Sequence, residues 1–267
     1  MKLGYHISIA KGLTQTSKNI INQKMTAVQI FPGSPKNYFP GTKFTSTDYK
    51  AMLELNIPKF VHSNYFINLA NDTAVIPKSI EENLKFCDKI GATGLVIHMG
   101  SNKSIEQGMS LTLMNIQEAY SRFAISEGGR PNTRILIETT AEGGNRIRWS
   151  KILELVDKYG VQLNLGIVID TCHLYSAGYT ANQIVGMIEK YHGLIDLIHL
   201  NNPSPNVEIG KHKDQHDIPL FDLTGKFSKM EIENFLSVAK LYDIPSICET
   251  GDDENGFKLI IENYQNF

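Results

Sequence analysis

The chain has 267 residues, of which 42% are hydrophobic and 20% are charged, a composition that excludes a disordered or fibrous protein. Its 26 Lys and Arg residues against 28 Asp and Glu residues leave a net charge of −2, which is not the basic surplus typical of nucleic-acid-binding proteins. The length is compatible with one large domain or two small ones.

The N-terminal sequence MKLGYHISIAKGL lacks the apolar core of a signal peptide. No apolar run approaches the roughly 18 residues needed to cross a membrane. Three cysteines (Cys87, Cys172 and Cys248) without a CxxC spacing exclude a disulfide framework and favour a reducing compartment. We therefore expect an intracellular protein that is neither secreted nor membrane-bound, with Cys172 and Cys248 as small buried side chains.

Eight short apolar runs rich in β-branched residues are dispersed along the chain. They lie at 3–8, 27–31, 60–62, 95–98, 135–138, 166–170, 194–200 and 244–249. Hydrophobicity that is near-continuous rather than alternating predicts strands buried on both faces, as in a parallel sheet covered by helices.

Helical patterns separate these runs, clearest at 79–90, 111–125, 150–159, 181–191 and 229–242. Ser79 with Glu82, and Ser228 with Glu231, have the spacing of capping boxes that begin helices. Gly160 predicts a helix end.

Alternating strands and helices over this length are typical of an α/β protein with the (β/α)8 TIM barrel fold. A doubly wound open sheet would place GxGxxG after the first strand, whereas the sequence there reads IAKGLTQTS. Because no linker interrupts the pattern, we expect a single domain over residues 1–267, with the active site at the C-terminal ends of the strands.

Six consecutive predicted strands end in His, Asp or Glu. These residues are His62, His98, Glu138, Asp170, His199 and Glu249. The ends of barrel strands meet at one face, so we expect these side chains to converge. His173, Asp214 and His216 add three further donors nearby in sequence. Nine donors exceed the need of one metal ion, and mixed imidazole and carboxylate groups suit zinc or manganese, so three ions are the economical count.

The sequence resembles the endonuclease IV family, the metal-dependent apurinic/apyrimidinic (AP) endonucleases known as AP endonuclease family 2. The matching segments are GYHISIAKGL (4–13), HSNYFINLAN (62–71), IHMGS (97–101), IETTAEGGN (137–145), IDTCHLYSAGY (169–179), IHLNN (198–202), DQH (214–216) and ICET (247–250). They nearly span the chain in the family's order. IDTCHxxxAGY with the spaced His, Glu and DxH positions is highly specific, whereas HSNY or DQH alone would be weak.

The resemblance implies three divalent ions, expected to be Zn²⁺ with Mn²⁺ as an alternative at one position. Their implied ligand sets are, in order, His62, His98 and Glu138; Glu138, Asp170, His199 and Glu249; and His173, Asp214 and His216. The implied reaction is hydrolysis of the phosphodiester 5′ to an abasic site in duplex DNA, which leaves a 3′-hydroxyl and a 5′-deoxyribose phosphate. Glu138 and Glu249 would be the catalytic residues beside the attacking water.

The resemblance also implies a DNA interface. Tyr65 and Phe66 occupy the position of the family's aromatic-aliphatic wedge, and Lys36 that of a basic residue from the second loop. Arg146, with Arg148, is a candidate phosphate contact. Barrel packing for the aromatic residues and an ordinary solvated loop for the basic ones are the alternatives. We expect a monomer that is cytoplasmic, nucleoid-associated or viral.

Three features depart from the family, including a tail that stops soon after the final predicted helix, at Phe267. Asn202 replaces the usual aspartate, which we expect to weaken the positioning of the metal ligands beside it, and 217–225 (DIPLFDLTG) replaces a glycine-rich stretch. His6 is expected to support the site rather than bind metal, and His192 and His212 to be surface residues. The rival functions are a xylose-isomerase-like sugar isomerase or epimerase with fewer metals, and a non-catalytic binding protein with the same fold. Nine retained donors argue against both.

Overall fold

The computed structural model describes residues 1–40 and 44–250. Within these ranges, the strands are β1 (Leu3–Tyr5), β2 (Val28–Ile30), β3 (Lys59–His62), β4 (Gly94–His98), β5 (Arg134–Glu138), β6 (Leu165–Asp170), β7 (Ile195–His199) and β8 (Ser246–Cys248). The helices are α1 (Leu13–Asn22), α2 (Ser46–Leu53), α3 (Val75–Ile90), α4 (Ile105–Glu127), α5 (Trp149–Leu163), α6 (Thr171–Ala177), α7 (Ala181–Tyr191) and α8 (Lys229–Leu241). The end of the expected domain, residues 251–267, lies outside the described residues.

The strands form one parallel sheet that curves into a barrel. Its order runs from β1 through β8, β7, β6, β5, β4 and β3 to β2. The two ends of this order meet, because Ile7 donates to Gln29 O at 2.9 Å and Ala27 donates to Leu3 O at 3.2 Å. The sequence prediction of a (β/α)8 barrel is confirmed.

The strands separate two apolar layers. Inside the barrel lies a compact cluster of seven buried side chains, namely Ala27, Phe60, Val96, Leu136, Val168, Leu197 and Ile247. Alternate residues such as Leu95 and Ile97 belong to the larger core between sheet and helices. Burial on both faces explains why the strands read as continuous apolar runs.

Helix ends test the capping predictions. The capping box of Ser228 and Glu231 is confirmed at the start of α8. The prediction for Ser79 is wrong, because α3 begins at Val75, with Pro77 in its first turn, where a missing N–H is tolerated. Ser79 instead donates to Tyr38 O. The prediction for Gly160 is also wrong, since α5 continues to Leu163 and ends at Asn164, which adopts the left-handed conformation.

The described helices differ from membrane-spanning helices in length or in apolar character. The longest of them, α4, has 23 residues, Ile105–Glu127. None in the described ranges is both long enough and apolar enough to cross a membrane.

Candidate metal centre

Strand periodicity brings the predicted donors together. Each of the six strand-end residues follows an inward-facing apolar residue by two positions, as His62 follows Phe60 and Glu138 follows Leu136. Side chains two apart on a strand point to the same side, so these donors form a layer directly above the apolar interior. We call this set the ligand layer; it comprises His62, His98, Glu138, Asp170, His199 and Glu249, with Gln29 of β2 and His6 beside β1 at the same level.

Glu138 lies at the centre of this layer and is fully buried. Its Oε1 is 3.2 Å from His199 Nδ1 and 3.3 Å from His173 Nδ1. Its Oε2 is 3.1 Å from His62 Nε2 and 3.4 Å from His98 Nε2. One carboxylate therefore contacts imidazoles from four different parts of the chain.

The donors fall into three groups whose candidate ligand atoms lie within 4.8 Å of one another. The groups are His62, His98 and Glu138; Glu138, Asp170, His199 and Glu249; and Asp170, His173 and His216. The first two match the sets implied by the sequence. In the third, Asp170 joins the histidines, while Asp214 Oδ2 lies 2.9 Å from His173 Nε2 and Asp214 Oδ1 lies 3.5 Å from His216 Nε2.

The sequence IDTCH positions two donors through a helix start. Asp170 is the N-cap of α6 and accepts a hydrogen bond from His173 N at 2.7 Å through Oδ1. Its other oxygen, Oδ2, accepts from Asn201 Nδ2 at 2.7 Å. Both carboxylate oxygens are thus held, and the first turn of the helix carries His173 into the site.

Hydrogen bonds indicate which nitrogen of three site histidines is available when the ring is neutral. His62 Nδ1 donates to Ser63 O at 2.7 Å and His173 Nδ1 to Thr139 O at 2.8 Å, which leaves Nε2 bare in both rings. His199 is reversed: its Nε2 lies 2.8 Å from Gln29 Oε1, and Nδ1 faces the carboxylates.

The electrostatics favour cations. Burial lowers the pKa of His98 to about 4, so this ring is neutral and able to bind metal at neutral pH. Burial alone would lower the pKa of His199, but the carboxylates of Glu249, Glu138 and Asp170 raise it to about 9. In the described residues, four carboxylates and five imidazoles meet here without Lys or Arg, and this mixed donor set fits divalent ions such as zinc.

The sequence did not identify two residues that hydrogen-bond to the candidate metal ligands. Asn201 Nδ2 bonds both Asp170 Oδ2 and Glu249 Oε2, and Asn201 Oδ1 accepts from Glu249 N at 3.0 Å. Gln29 Nε2 donates to Glu249 Oε1 at 2.7 Å. Their signal was a buried amide within or just after an apolar strand, with Gln29 two residues after inward-facing Ala27.

The expectation that Asn202 sits beside the metal ligands is not met. Asn202 is buried and donates to Leu220 O at 2.9 Å and to Asp222 O at 3.4 Å, while its Oδ1 accepts from Phe227 N at 2.9 Å. It therefore anchors the divergent segment 217–225.

The site opens into a cavity of about 980 Å³, which is lined by His62, His98, Glu138 and Glu249 of the ligand layer and by the loops after β1 and β2. A second cavity of about 320 Å³ adjoins it beside Arg146. Tyr65 lines both and is 63% exposed. Lys36 and Arg146 are exposed on the surrounding loops.

The two wedge aromatics face different neighbours. Tyr65 packs edge-on against Phe31, with ring centroids 5.4 Å apart. Phe66, 49% exposed, packs instead against Tyr38 at 5.6 Å. Tyr65 therefore faces the groups of candidate metal donors, and Phe66 extends an exposed aromatic surface away from them.

The remaining histidines and cysteines lie mostly as expected. His6 Nδ1 is 3.1 Å from Gln29 Nε2 and 3.9 Å from Glu249 Oε1, a supporting position. His192 and His212 are exposed, although His212 also donates to Ala141 O at 2.9 Å. Cys172 and Cys248 are buried.

The chain is similar to characterised folds and curated sequences over nearly its whole length. Residues 22–265 match the family described as Xylose isomerase-like TIM barrel. A probable endonuclease 4 of Petrotoga mobilis is 31% identical, covering 95% of this chain and 93% of that protein. The crystal structure of endonuclease IV from Thermus thermophilus superposes with a TM-score of 0.80 at 24% identity, covering 100% of this chain and 98% of the other.

The barrel itself is shared more widely. A D-tagatose 3-epimerase-like protein superposes with a TM-score of 0.71 at 18% identity, over 100% of this chain and 97% of the other. That likeness shows the fold alone, whereas the full-length sequence match carries the family. The chain therefore belongs to the endonuclease IV family, within the Xylose isomerase-like TIM barrel proteins.

Proposed function

We propose that this protein is a DNA-repair endonuclease that hydrolyses the phosphodiester 5′ to an abasic site in duplex DNA. The products would be a 3′-hydroxyl and a 5′-deoxyribose phosphate. The observation that carries this proposal is the convergence of eight His, Asp and Glu side chains in three overlapping groups beneath one open cavity, with Asp214 in contact with the third group. Hydrolysis of a phosphodiester needs charge stabilisation at both the attacking and the departing oxygen.

Membership of the endonuclease IV family implies divalent metal ions, and we propose three, most simply Zn²⁺, with Mn²⁺ as an alternative at one position. They would be held by His62, His98 and Glu138; by Glu138, Asp170, His199 and Glu249; and by His173, Asp214 and His216. Bound ions would polarise the phosphoryl group and stabilise negative charge on its oxygens. The absence of a thiolate among the donors supports a hydrolytic rather than a structural site.

We assign Glu138 and Glu249 to hold and polarise the attacking water. Both line the cavity, and Glu249 is oriented by amides on both oxygens, Gln29 on Oε1 and Asn201 on Oε2. A carboxylate held from two sides keeps one geometry through the reaction, which favours catalysis by positioning.

The loops around the cavity supply cations for DNA. Several Lys and Arg side chains on these loops have no carboxylate of the described residues within 4.0 Å. They are Lys11, Lys36, Lys103, Arg146, Arg148, Lys211 and Lys213. These loop cations favour contact with phosphates beside the cavity, although the overall charge of the protein is slightly acidic.

We further propose that Tyr65 and Phe66, with Lys36 and Arg146, bind the duplex at the abasic site. Exposed aromatic rings stack on bases, and the gap left by a missing base has room for an aromatic ring. We also propose that the protein acts as a single-domain monomer and that the same site removes 3′-blocking groups, which are joined to DNA by the same type of phosphate ester.

A sugar isomerase or epimerase on the same barrel is the alternative. Such enzymes need one or two metals, so the third group of donors around His173, Asp214 and His216 would have no role. The shared fold of the epimerase-like structure does not distinguish the two functions.

The test uses zinc-loaded protein and a duplex that contains one tetrahydrofuran abasic analogue, which cannot undergo β-elimination. We expect a nick on the 5′ side with a 3′-hydroxyl end, lost in Glu249→Gln and retained in Glu208→Gln, a control that removes an exposed carboxylate from the loop after β7. Absence of the nick in metal-loaded protein, together with conversion of a ketose or aldose, would support the isomerase instead.

A further inference from the structure

The ligand layer also contains a buried amide that is neither a proposed metal donor nor a proposed catalytic group. Gln29 on β2 is fully buried, with 0% of its surface exposed, and it follows the inward-facing Ala27 by two positions. It therefore lies at the same level as the six strand-end donors. An amide inside a barrel is retained only where its polar atoms have partners.

The Gln29 amide contacts the site at both ends. Its Oε1 is 2.8 Å from His199 Nε2. Its Nε2 is 2.7 Å from Glu249 Oε1 and 3.1 Å from His6 Nδ1. The orientation of the amide follows from chemistry, because only its NH₂ end can face the ionised carboxylate of Glu249, and this leaves the oxygen for His199.

The consequence is a defined tautomer of His199. In the neutral ring that would bind a metal ion, the proton lies on Nε2, where Gln29 accepts it, and Nδ1 is bare. That Nδ1 is 3.2 Å from Glu138 Oε1, 3.3 Å from Glu249 Oε2 and 3.9 Å from Asp170 Oδ2. His62 and His173 obtain equivalent support from backbone carbonyls, whereas the corresponding acceptor for His199 is the side-chain amide of Gln29.

We propose that Gln29 is a positioning residue that fixes His199 and Glu249 for metal binding at the group they share with Glu138 and Asp170. The proposal rests on the proposed function for its effect on catalysis, but its effect on metal binding is independent of any substrate. Loss of such a hydrogen-bonding partner behind a metal ligand typically weakens metal affinity or activity roughly 10- to 100-fold.

Two substitutions of similar volume separate the two contacts. Gln29→Met removes both, and leaves His199 Nε2 and Glu249 Oε1 without this partner. Gln29→Glu keeps an acceptor for His199 but replaces the donor to Glu249 with a carboxylate. Gln15→Met, on the outer surface of α1, is the control, since the Gln15 side chain hydrogen-bonds only to Asn19 within the ranges that the structure describes.

Zinc affinities are measured by titration against a competing chelator, and the protonation of His199 by ¹⁵N NMR on the zinc-loaded protein. For Gln29→Met we expect one zinc to bind roughly 10- to 100-fold more weakly and the single Nε2–H tautomer to be lost. For Gln29→Glu we expect the tautomer to remain. If the protein cleaves the tetrahydrofuran duplex, kcat should fall in both variants. KM should be unchanged, because the fully buried Gln29 side chain cannot contact a bound substrate.

Wild-type zinc affinities and an unchanged tautomer in Gln29→Met would overturn the proposal. An equal loss of unfolding free energy with and without zinc would do the same, because it would identify Gln29 as a packing residue. Should Gln29→Met fail to fold, loss of the Nε2–H tautomer in folded Gln29→Glu would contradict the proposal. The zinc titrations contain no DNA, so their result does not depend on cleavage. If Gln29 supports zinc binding but the wild-type protein cuts no abasic duplex, the proposed function is contradicted and this inference stands.

Discussion

Glu138 Oε1 lies 3.2 Å from His199 Nδ1, although β5 and β7 are separated in the sheet by β6. The other oxygen of Glu138 lies 3.1 Å from His62 Nε2, on the opposite side. A single carboxylate therefore belongs to two groups of metal donors. The contact arises because both residues follow inward-facing apolar residues, Leu136 and Leu197, by two positions.

This sharing predicts unequal effects of two conservative substitutions. Glu138→Gln should lower the metal content by more than one ion per chain, because it weakens two groups, whereas Asp214→Asn should remove at most one. Loss of a residue that supports a metal ligand typically lowers activity by up to roughly 100-fold. Because Glu138 is itself a proposed ligand, activity on abasic DNA should fall by at least that factor in Glu138→Gln. Metal analysis after gel filtration measures the contents. Equal metal losses in the two variants would argue against a shared carboxylate.

The exposure of Tyr65 beside the metal groups predicts a specific role in binding damaged DNA. Tyr65→Ala should weaken binding of a tetrahydrofuran duplex by about 1–3 kcal/mol, the usual contribution of a ring stacked on a base. Tyr65→Phe should bind nearly normally, since the ring remains. Dissociation constants are measured in the Glu249→Gln background, to prevent cleavage. If Tyr65→Ala bound the damaged and intact duplexes with unchanged affinity, Tyr65 would be an ordinary packing residue.

Much of the site could be predicted because its donors end apolar strands. A His, Asp or Glu directly after a β-branched run is visible in the sequence, and six in series identify one face of a barrel. Gln29 and Asn201 were not found, because an amide is common in proteins and its role depends on contacts between distant strands. The early start of α3 at Val75 was missed because Ser79 has good capping spacing, although Pro77 marked the first turn.

Asn202 shows how a departure from the family can be structural. It donates to two backbone carbonyls of the segment 217–225, at Leu220 and Asp222. Aspartate has no N–H to donate, so Asn202→Asp, although it restores the usual family residue, should lower the free energy of unfolding by about 1–3 kcal/mol. Urea unfolding measures the change, with exposed Asn206→Asp as the control. Equal stability of the two variants would contradict an anchoring role.

The start of α2 predicts a pH dependence of stability. Hydrogen bonds from Thr14 and Thr45 lower the pKa of Asp48 from 3.8 to about 2. Because the folded-state pKa is below the unfolded value, the contribution of Asp48 is fully present above pH 4 and is lost as the pH falls toward 2. The difference in unfolding free energy between wild type and Asp48→Asn should shrink across this range. A difference that stays constant from pH 5 to 2 would show that Asp48 is not held in this way.

The most direct measurement is mass spectrometry of the cleavage products formed in H₂¹⁸O by the zinc-loaded protein on a tetrahydrofuran duplex. Hydrolysis 5′ to the abasic analogue predicts one fragment with an unlabelled 3′-hydroxyl. The other should carry a single ¹⁸O on the 5′-phosphate attached to the analogue. A 3′-phosphate end, label on the 3′ side, or no cleavage by protein that holds its full complement of metal would contradict the account.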